Sequence, residues 1–294
     1  MTIQGSKKVL VVGLSGPMAK AIVPELQAEG HEVRVVAYLP ERAKNFKANN
    51  VEVIQGSVGN REDLMKALDG VGGVCIMGMP HEEDPAKEAE YGKAVIDACL
   101  TMGVRHVVHV SVCCSDKNTG VPHFDSKHQV EEHLKKSGLS YTILRPAWFM
   151  ENFLTNRYFS TLRDGVLSLP LRPERTLELV SASDVARVAA EAFTVPDKLT
   201  EREIDLAADR LTMEEIAEEI SRVLPKSVVY KQISDADAGR EMSLDMRTMF
   251  KWLDEHGYTG DLLLAENLLK RFEIKLTNFR AFLYQYKEEF RKAA

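Results

Sequence analysis

No run of apolar residues in this chain approaches the ~20 that a membrane-spanning helix requires; the longest is Val71–Met79. Cysteine is scarce, with four among 294 residues (Cys75, Cys99, Cys113, Cys114). None sits in a C-x-x-C or zinc-ligand spacing, so neither a disulfide framework nor a thiolate metal site is expected. The eight histidines are scattered, and His123, His128 and His133 fall five apart, which spreads them around a helix; no metal site follows. Basic charge is not in excess. A net charge of -6 and a pI near 5.8, with the basic residues dispersed, give no electrostatic case for nucleic acid. Repeats, low-complexity segments and linkers are missing. The opening MTIQGSKK has no apolar leader, so no membrane association and a cytoplasmic location are expected.

What is present is a substantial apolar fraction, 45%, enough for one large α/β unit or two closely joined lobes. The chain is organised around residues 8–31. Val9–Val12 reads as a strand, Gly13-Leu14-Ser15-Gly16-Pro17-Met18 as a tight turn, and the residues to Gly30 as a helix. Strand, glycine turn, helix is the layout of a dinucleotide phosphate site, in which main-chain amides at the helix start face the diphosphate. Gly13 allows the sharp turn, Gly16 a close backbone approach, and Pro17 suits the first helical position at the loss of one N–H donor. Ala19, Ile22, Val23 and Leu26 form the buried stripe, and Pro24 interrupts the hydrogen bonding midway.

Farther on, strands are expected at 31–38, Val51–Ile54, Val71–Met77, Arg105–Ser111 and Tyr141–Leu144. Helices are expected at Pro40–Asn49, Asn60–Leu68, Pro85–Met102 and His123–Ser137. Asn60 caps its helix, with Glu62 and Asp63 in the first turn. Pro85–Met102 turns Ala89, Val95, Ile96, Cys99 and Leu100 inward, while His81–Glu90 reads as a solvated acidic loop and helix start. This alternation predicts an α/β fold with a doubly wound parallel sheet and a ligand at the carboxyl ends of its strands. Past Arg145-Pro146 the rhythm changes. Trp148–Arg163 reads as helical, followed by strands near Val166–Leu171 and Thr176–Val180 and a helix from Ser183 to Phe193. The strand Glu203–Leu206 is a candidate to rejoin the main sheet. Thr212–Leu224 is a helix with a Thr212–Glu215 capping box, Val228–Gln232 a small strand, and Asn278–Arg291 an amphipathic helix that either docks on the chain or forms a homodimer contact. The expected division is 1–150 and 151–294, the latter a smaller mixed α/β lobe.

Three stretches together resemble the NmrA-like family of atypical short-chain dehydrogenases/reductases. They are the glycine turn, Gly120-Val121-Pro122-His123-Phe124-Asp125-Ser126-Lys127 with Val130-Glu131-Glu132, and Tyr141-Thr142-Ile143-Leu144-Arg145-Pro146-Ala147-Trp148-Phe149-Met150-Glu151-Asn152-Phe153. Ser183-Asp184-Val185-Ala186, Leu211–Ala217 and Trp252–Gly257 continue the likeness over nearly the whole chain. The resemblance implies a Rossmann-type domain binding NADP(H), a smaller lobe and a cleft between them. The group contains reductases and redox-sensing regulators. The chain is therefore expected to be an NADPH-dependent reductase of a small carbonyl, enone, quinone or imine compound; the alternative is a non-catalytic NADPH sensor that binds a partner protein.

Departures from the family are informative. Tyr38 stands where an arginine usually meets the NADP 2′-phosphate, and Arg42, less directly Lys44, supplies charge from the next turn. No acid ends that strand, so NADP is expected over NAD. Ser57 and Val58 replace an acid after the third strand, with Ser57 facing adenine. Met77, Gly78 and Met79 form one cleft wall. Ser111 occupies the place of the family's catalytic serine, and Cys113-Cys114 lie at the rim as two small loop residues or a redox pair. Where short-chain dehydrogenases carry a tyrosine four residues before the lysine, this chain has His123, giving His-x-x-x-Lys on one helix face. The resemblance thus makes Lys127 a nicotinamide-ribose contact and proton source, and His123 an acid near neutral pH. Pro146, Trp148, Phe149, Phe153 and Asn152 are expected around the nicotinamide.

Overall fold

The computed structural model of the protein describes residues 7–13, 16–37, 50–78, 85–155, 161–258, 260, 269–270 and 273–293. Its strands are β1 (Lys8–Val12), β2 (Glu32–Ala37), β3 (Glu52–Gln55), β4 (Gly73–Ile76), β5 (His106–Val110), β6 (Ser140–Pro146), β7 (Trp148–Phe149), β8 (Val166–Leu169), β9 (Thr176–Val180), β10 (Arg202–Leu206), β11 (Asp209–Thr212) and β12 (Val229–Gln232). The main helices are α1 (Gly16–Ala28), α2 (Arg61–Leu68), α3 (Pro85–Met102), α4 (Pro122–Lys136), α5 (Ala182–Thr194), α6 (Met213–Ser221), α7 (Asp235–Glu241), α8 (Leu244–His256), α9 (Phe279–Gln285) and α10 (Lys287–Ala293).

Seven strands form a parallel sheet in the order β10-β6-β5-β4-β1-β2-β3. The chain winds outward from β1 in one direction through β2 and β3, then returns beside β1 with β4 and continues the other way. The β1–β4 junction is therefore the switch point, where such sheets open a crevice at the strands' carboxyl ends. One face is covered by α1 and α5, whose Ile22, Val23, Leu26, Val185, Val188 and Ala189 pack on Val9, Val11, Val35 and Val108. The other face is covered by α2, α3 and α4 through Leu64, Leu68, Val95, Ile96, Val130 and Leu134. Every residue of β4 is buried, which suits a central strand covered on both sides. Full burial of Ile22 and Leu26 contributes about 1.5–3 kcal/mol each.

A third core belongs to the later part of the chain, where β11-β9-β7 and β12-β8 form two small sheets around Phe153, Leu167, Leu177, Ile216, Phe250, Phe279 and Phe282. Although β10 lies in this part of the sequence, it pairs with β6 at the edge of the main sheet. Local signals set several elements. Asn60 accepts from the amides of Glu62 and Asp63 at 2.9 and 3.1 Å, and Thr212 and Glu215 close a capping box. Among the described residues no helix is long and apolar enough to cross a membrane.

Some expectations are corrected. Trp148–Arg163 does not begin as a helix. Trp148 and Phe149 pair with Leu179 and Val180 of β9, and Met150–Leu154 is a short 3-10 turn; ladder pairing after the extended Arg145-Pro146 overrides the helical pattern. The helix expected from Ser183 starts earlier, as α5 at Ala182, with Ser181 as its cap accepting from the Asp184 amide at 3.1 Å. Leu100, expected inside, is 55% exposed. The expected C-terminal helix is divided at Tyr286 into α9 and α10. The helix expected over Pro40–Asn49 lies outside the described residues.

Candidate functional site

At the end of β1, Gly13 has φ +88°. A Cβ there would stand inside contact distance of the Met77 carbonyl oxygen and 3.0 Å from that of Gly78, so only glycine lets β1 leave the sheet against the end of β4. Gly16, with φ +64°, opens α1 and has nothing among the described residues within 4 Å of where a Cβ would be. Pro17 follows, half-buried. The side chains of Met18 and Met77 are buried in the sheet's core, which leaves only their backbones for a ligand. Leu14, Ser15, Tyr38, Arg42 and Met79 lie outside the described residues. Beyond β3, Ser57 donates its amide to Asp63 at 3.1 Å and accepts from the Gly59 amide at 3.2 Å, while Val58 packs toward α2 and α3.

Lys127 stands on α4 and forms an ion pair with Glu88 of α3. The second oxygen of Glu88 accepts from the Ser126 hydroxyl at 3.1 Å. Gly78, at the end of β4, makes room for this pair: a Cβ there would lie 2.6 Å from Lys127 Nζ and 3.2 Å from Glu88 Oε1. Lys127 therefore reaches the chain just past β4, at the carboxyl end of the switch point. Glu88 corrects the reading of His81–Glu90 as solvated, because it is only 6% exposed. Sequence reasoning missed it; helix periodicity from Ala89 was the one available signal.

His123 lies one turn before Lys127. Its Nδ1 is 2.6 Å from Oδ2 of Asp245 on α8. Nδ1 is also an orphan by hydrogen-bond angle, so the approach in this structure is electrostatic and not a well-aligned bond. The other oxygen of Asp245 accepts the His123 backbone amide at 3.0 Å. Burial alone would raise the Asp245 carboxyl, but His123 outweighs it and holds the carboxyl below its ordinary value.

His123 and Lys127 line a cleft of about 390 Å³. Pro146, Trp148, Phe149 and Asn152, all expected there, line it as well, together with Phe124, Met246, Met249 and Tyr258, which sequence reasoning did not place. Phe153 is different: it is fully buried and packs against Phe279 at 5.6 Å between centroids. The walls are thus mostly aromatic and thioether, with an imidazole, an ammonium, a carboxamide and the hydroxyls of Ser111, Thr155 and Tyr258 as polar members.

Ser111 also borders the cleft, and its hydroxyl donates to Glu131. Glu131 has no exposed side-chain surface. It accepts from Ser115 at 2.7 Å and from Arg145 Nε and Nη2 at 3.1 and 2.6 Å. Burial raises the Glu131 carboxyl, yet Arg145 and the Ser111 hydroxyl overcome this and bring it to about 2. Arg145 reaches Glu203 of β10 at 2.5 Å as well. The L-R-P segment is therefore structural at its arginine. Burial lowers His109 to about 4, so its ring stays neutral beneath the site. Cys113 and Cys114 are free thiols with sulfurs 3.7 Å apart, and both are buried in core and not at a rim. The contact with Cys114 and burial push the Cys113 thiol far up, which disfavours the reactive thiolate.

Comparison with known proteins agrees with this architecture. An NmrA-like family domain-containing protein of Dictyostelium discoideum is 27% identical over 301 residues, covering 95% of this chain and 97% of its own length. The crystal structure of a Citrobacter sp. triphenylmethane reductase complexed with NADP(H) superposes with a TM-score of 0.80 at 18% identity, over 95% of this chain and 99% of that one. The crystal structure of NmrA, a negative transcriptional regulator, superposes with a TM-score of 0.77 at 19% identity, over 97% and 95%. The sequence pattern of the NmrA-like family matches residues 5–283, and the chain belongs to that family.

Proposed function

We propose that this protein is an NADPH-dependent reductase of a flat, conjugated small molecule such as a quinone, enone or imine. The observation that carries the reading is the placement of His123 and Lys127 on one face of α4, lining an aromatic-walled cleft beside Gly78 at the end of β4. A regulator needs no proton donors facing a cleft; a reductase does. The Dictyostelium relative supports the family, and the dye reductase the fold, on which the reading rests.

The residues present fit a dinucleotide. Gly13 lacks room for any side chain and Gly16 opens α1 with free space before it, so the diphosphate would be held by amides at the start of α1, with the positive end of the helix dipole behind them. Gly78 and Lys127 would meet the nicotinamide ribose, and Asn152 its ring. When bound, the cofactor supplies a hydride. The chain's own part is to exclude water with Trp148, Phe149 and Tyr258, to orient the ribose through Lys127, and to hold a proton on His123 for the oxygen or nitrogen that gains charge. NADP is proposed over NAD because no acid ends β2 at Ala37.

Calorimetric titration with NADPH, NADP, NADH and NAD, followed by NADPH oxidation against a panel of quinones, enones and imines, tests this. Tight binding of NADPH and turnover of at least one acceptor are expected. Absence of dinucleotide binding, or binding with no turnover across the panel, overturns the reading.

A further inference from the structure

Asp245 is the residue whose position the fold does not need for its own helix. Ser243 already caps α8, accepting from the Met246 amide at 3.3 Å, which leaves the Asp245 carboxylate free to reach 122 positions back in the sequence. It meets α4 at a point where capping is missing: Val121 offers no side-chain cap, and the His123 amide, among the first of α4, has no helical acceptor of its own. Asp245 Oδ1 takes that amide at 3.0 Å. A cap needs only this one acceptor. The second oxygen goes elsewhere, to within 2.6 Å of Nδ1 of the same residue's ring.

We propose that Asp245 is a positioning residue that fixes His123 as the Nδ1–H tautomer, so that Nε2 is the atom that exchanges a proton with a substrate in the cleft. The inference rests on the reductase reading for its chemistry. Nδ1 is buried 2.6 Å from the carboxylate, whereas Nε2 has no hydrogen-bond partner among the described residues, and the ring lines the cleft. An anionic acceptor beside Nδ1 selects the tautomer with hydrogen there. Lys127 stands one turn along α4, paired with Glu88 of α3, and the Phe124 ring lies edge-on to the imidazole at 4.7 Å between centroids. The proton balance is simple. The imidazolium gives its Nε2 proton to the substrate oxygen or nitrogen that takes up the electron pair when the adjoining carbon receives hydride, the neutral ring keeps Nδ1–H facing Asp245, and solvent returns a proton to Nε2. Asp245 and His123 come from the two halves of the chain, so the dyad exists only when the later part of the chain closes on α4.

Asp245→Asn separates this role from capping, because a carboxamide oxygen still accepts the His123 amide while its NH2 turns toward Nδ1. The ring must then accept at Nδ1 and carry its hydrogen on Nε2. Nitrogen-15 signals of the His123 ring, assigned by their loss in His123→Gln, are read on the full-length protein at about pH 8.5, above the ordinary histidine range. Expected are Nδ1–H in the parent and Nε2–H in Asp245→Asn. NADPH affinity should stay within about twofold and kcat should fall about 10–100-fold. The same tautomer in both proteins overturns the inference, as does a kcat loss that merely tracks a loss of thermal stability. If the tautomer switches but neither protein reduces any acceptor, the reductase reading falls and the positional assignment of Asp245 stands.

Discussion

At the scale of single residues, the two glycines of the opening turn should behave differently although both have positive φ. Gly13→Ala places a methyl group against the carbonyls of Met77 and Gly78, backbone atoms held in β4 and its exit, and adds the left-handed strain of an L-residue. We expect a loss of about 3 kcal/mol or more, or failure to fold. Gly16→Ala meets nothing within 4 Å among the described residues and should cost only about 1 kcal/mol. If that open space receives a diphosphate, the same methyl should weaken NADPH binding by about tenfold while stability changes little; urea unfolding and calorimetry on the one variant read both quantities. Lys127 offers a second comparison. It and Glu88 are 13% and 8% exposed at the side chain, so Lys127→Met leaves a buried carboxylate without its counter-charge, at a cost of about 3–5 kcal/mol. Glu88→Gln added to Lys127→Met should recover most of this, and a double-mutant cycle by urea unfolding measures it.

At the scale of elements, legibility followed locality. The bounds of α3 were readable because its start at Pro85 and the Gly103 beyond its end lie in the sequence itself, and the α2 cap at Asn60 and the α6 capping box are contacts over two or three residues. β7 was not, because two residues become a strand only by pairing with β9, some thirty positions later. The cleft shows the same division. Lys127 and His123 could be named from one helix face, but Glu88 and Asp245, which hold them, lie 39 and 122 residues away, and no local pattern announces such partners. Glu131 is a further case. It sits on α4 one turn beyond Lys127 and locks that helix to β6 and β10 through Arg145, so it fixes the register of the helix that carries the site. Because its folded-state value, about 2, lies below its ordinary 4.5, the stability it contributes is present above pH 4.5 and is lost as pH falls toward 2. This contribution is on the order of 3 kcal/mol. Glu131→Gln should flatten the acid limb of a stability–pH curve, and an unchanged slope between those values would count against the network.

At the scale of the whole molecule, that limb meets one of opposite sign. Glu151 follows β7, and both of its carboxyl oxygens approach the Ala182 amide at 2.9 and 3.0 Å. It thereby joins the strand of the small sheet to the start of α5, which packs with α1 on the main sheet. Burial raises the Glu151 carboxyl, with nearby Asp184 adding to the rise, and the hydrogen bond from Ala182 recovers only part of it, leaving it at about 7. A carboxyl raised on folding contributes stability that is full below its ordinary 4.5 and is lost as pH climbs through 7. Glu131 and Glu151 together therefore predict a dome, rising from pH 2 to 4.5 and descending between 4.5 and 7. The descending limb is specific to Glu151. Glu151→Gln keeps an acceptor for the Ala182 amide and cannot ionise, so it should melt about 2–4 °C above the parent at pH 8 and equal it near pH 4. A parent protein that loses no stability between pH 4.5 and 7, or a Gln variant that melts lower at pH 8, would show that the junction between the two sheets holds a carboxylate at no cost. The raised value at this position would then be wrong.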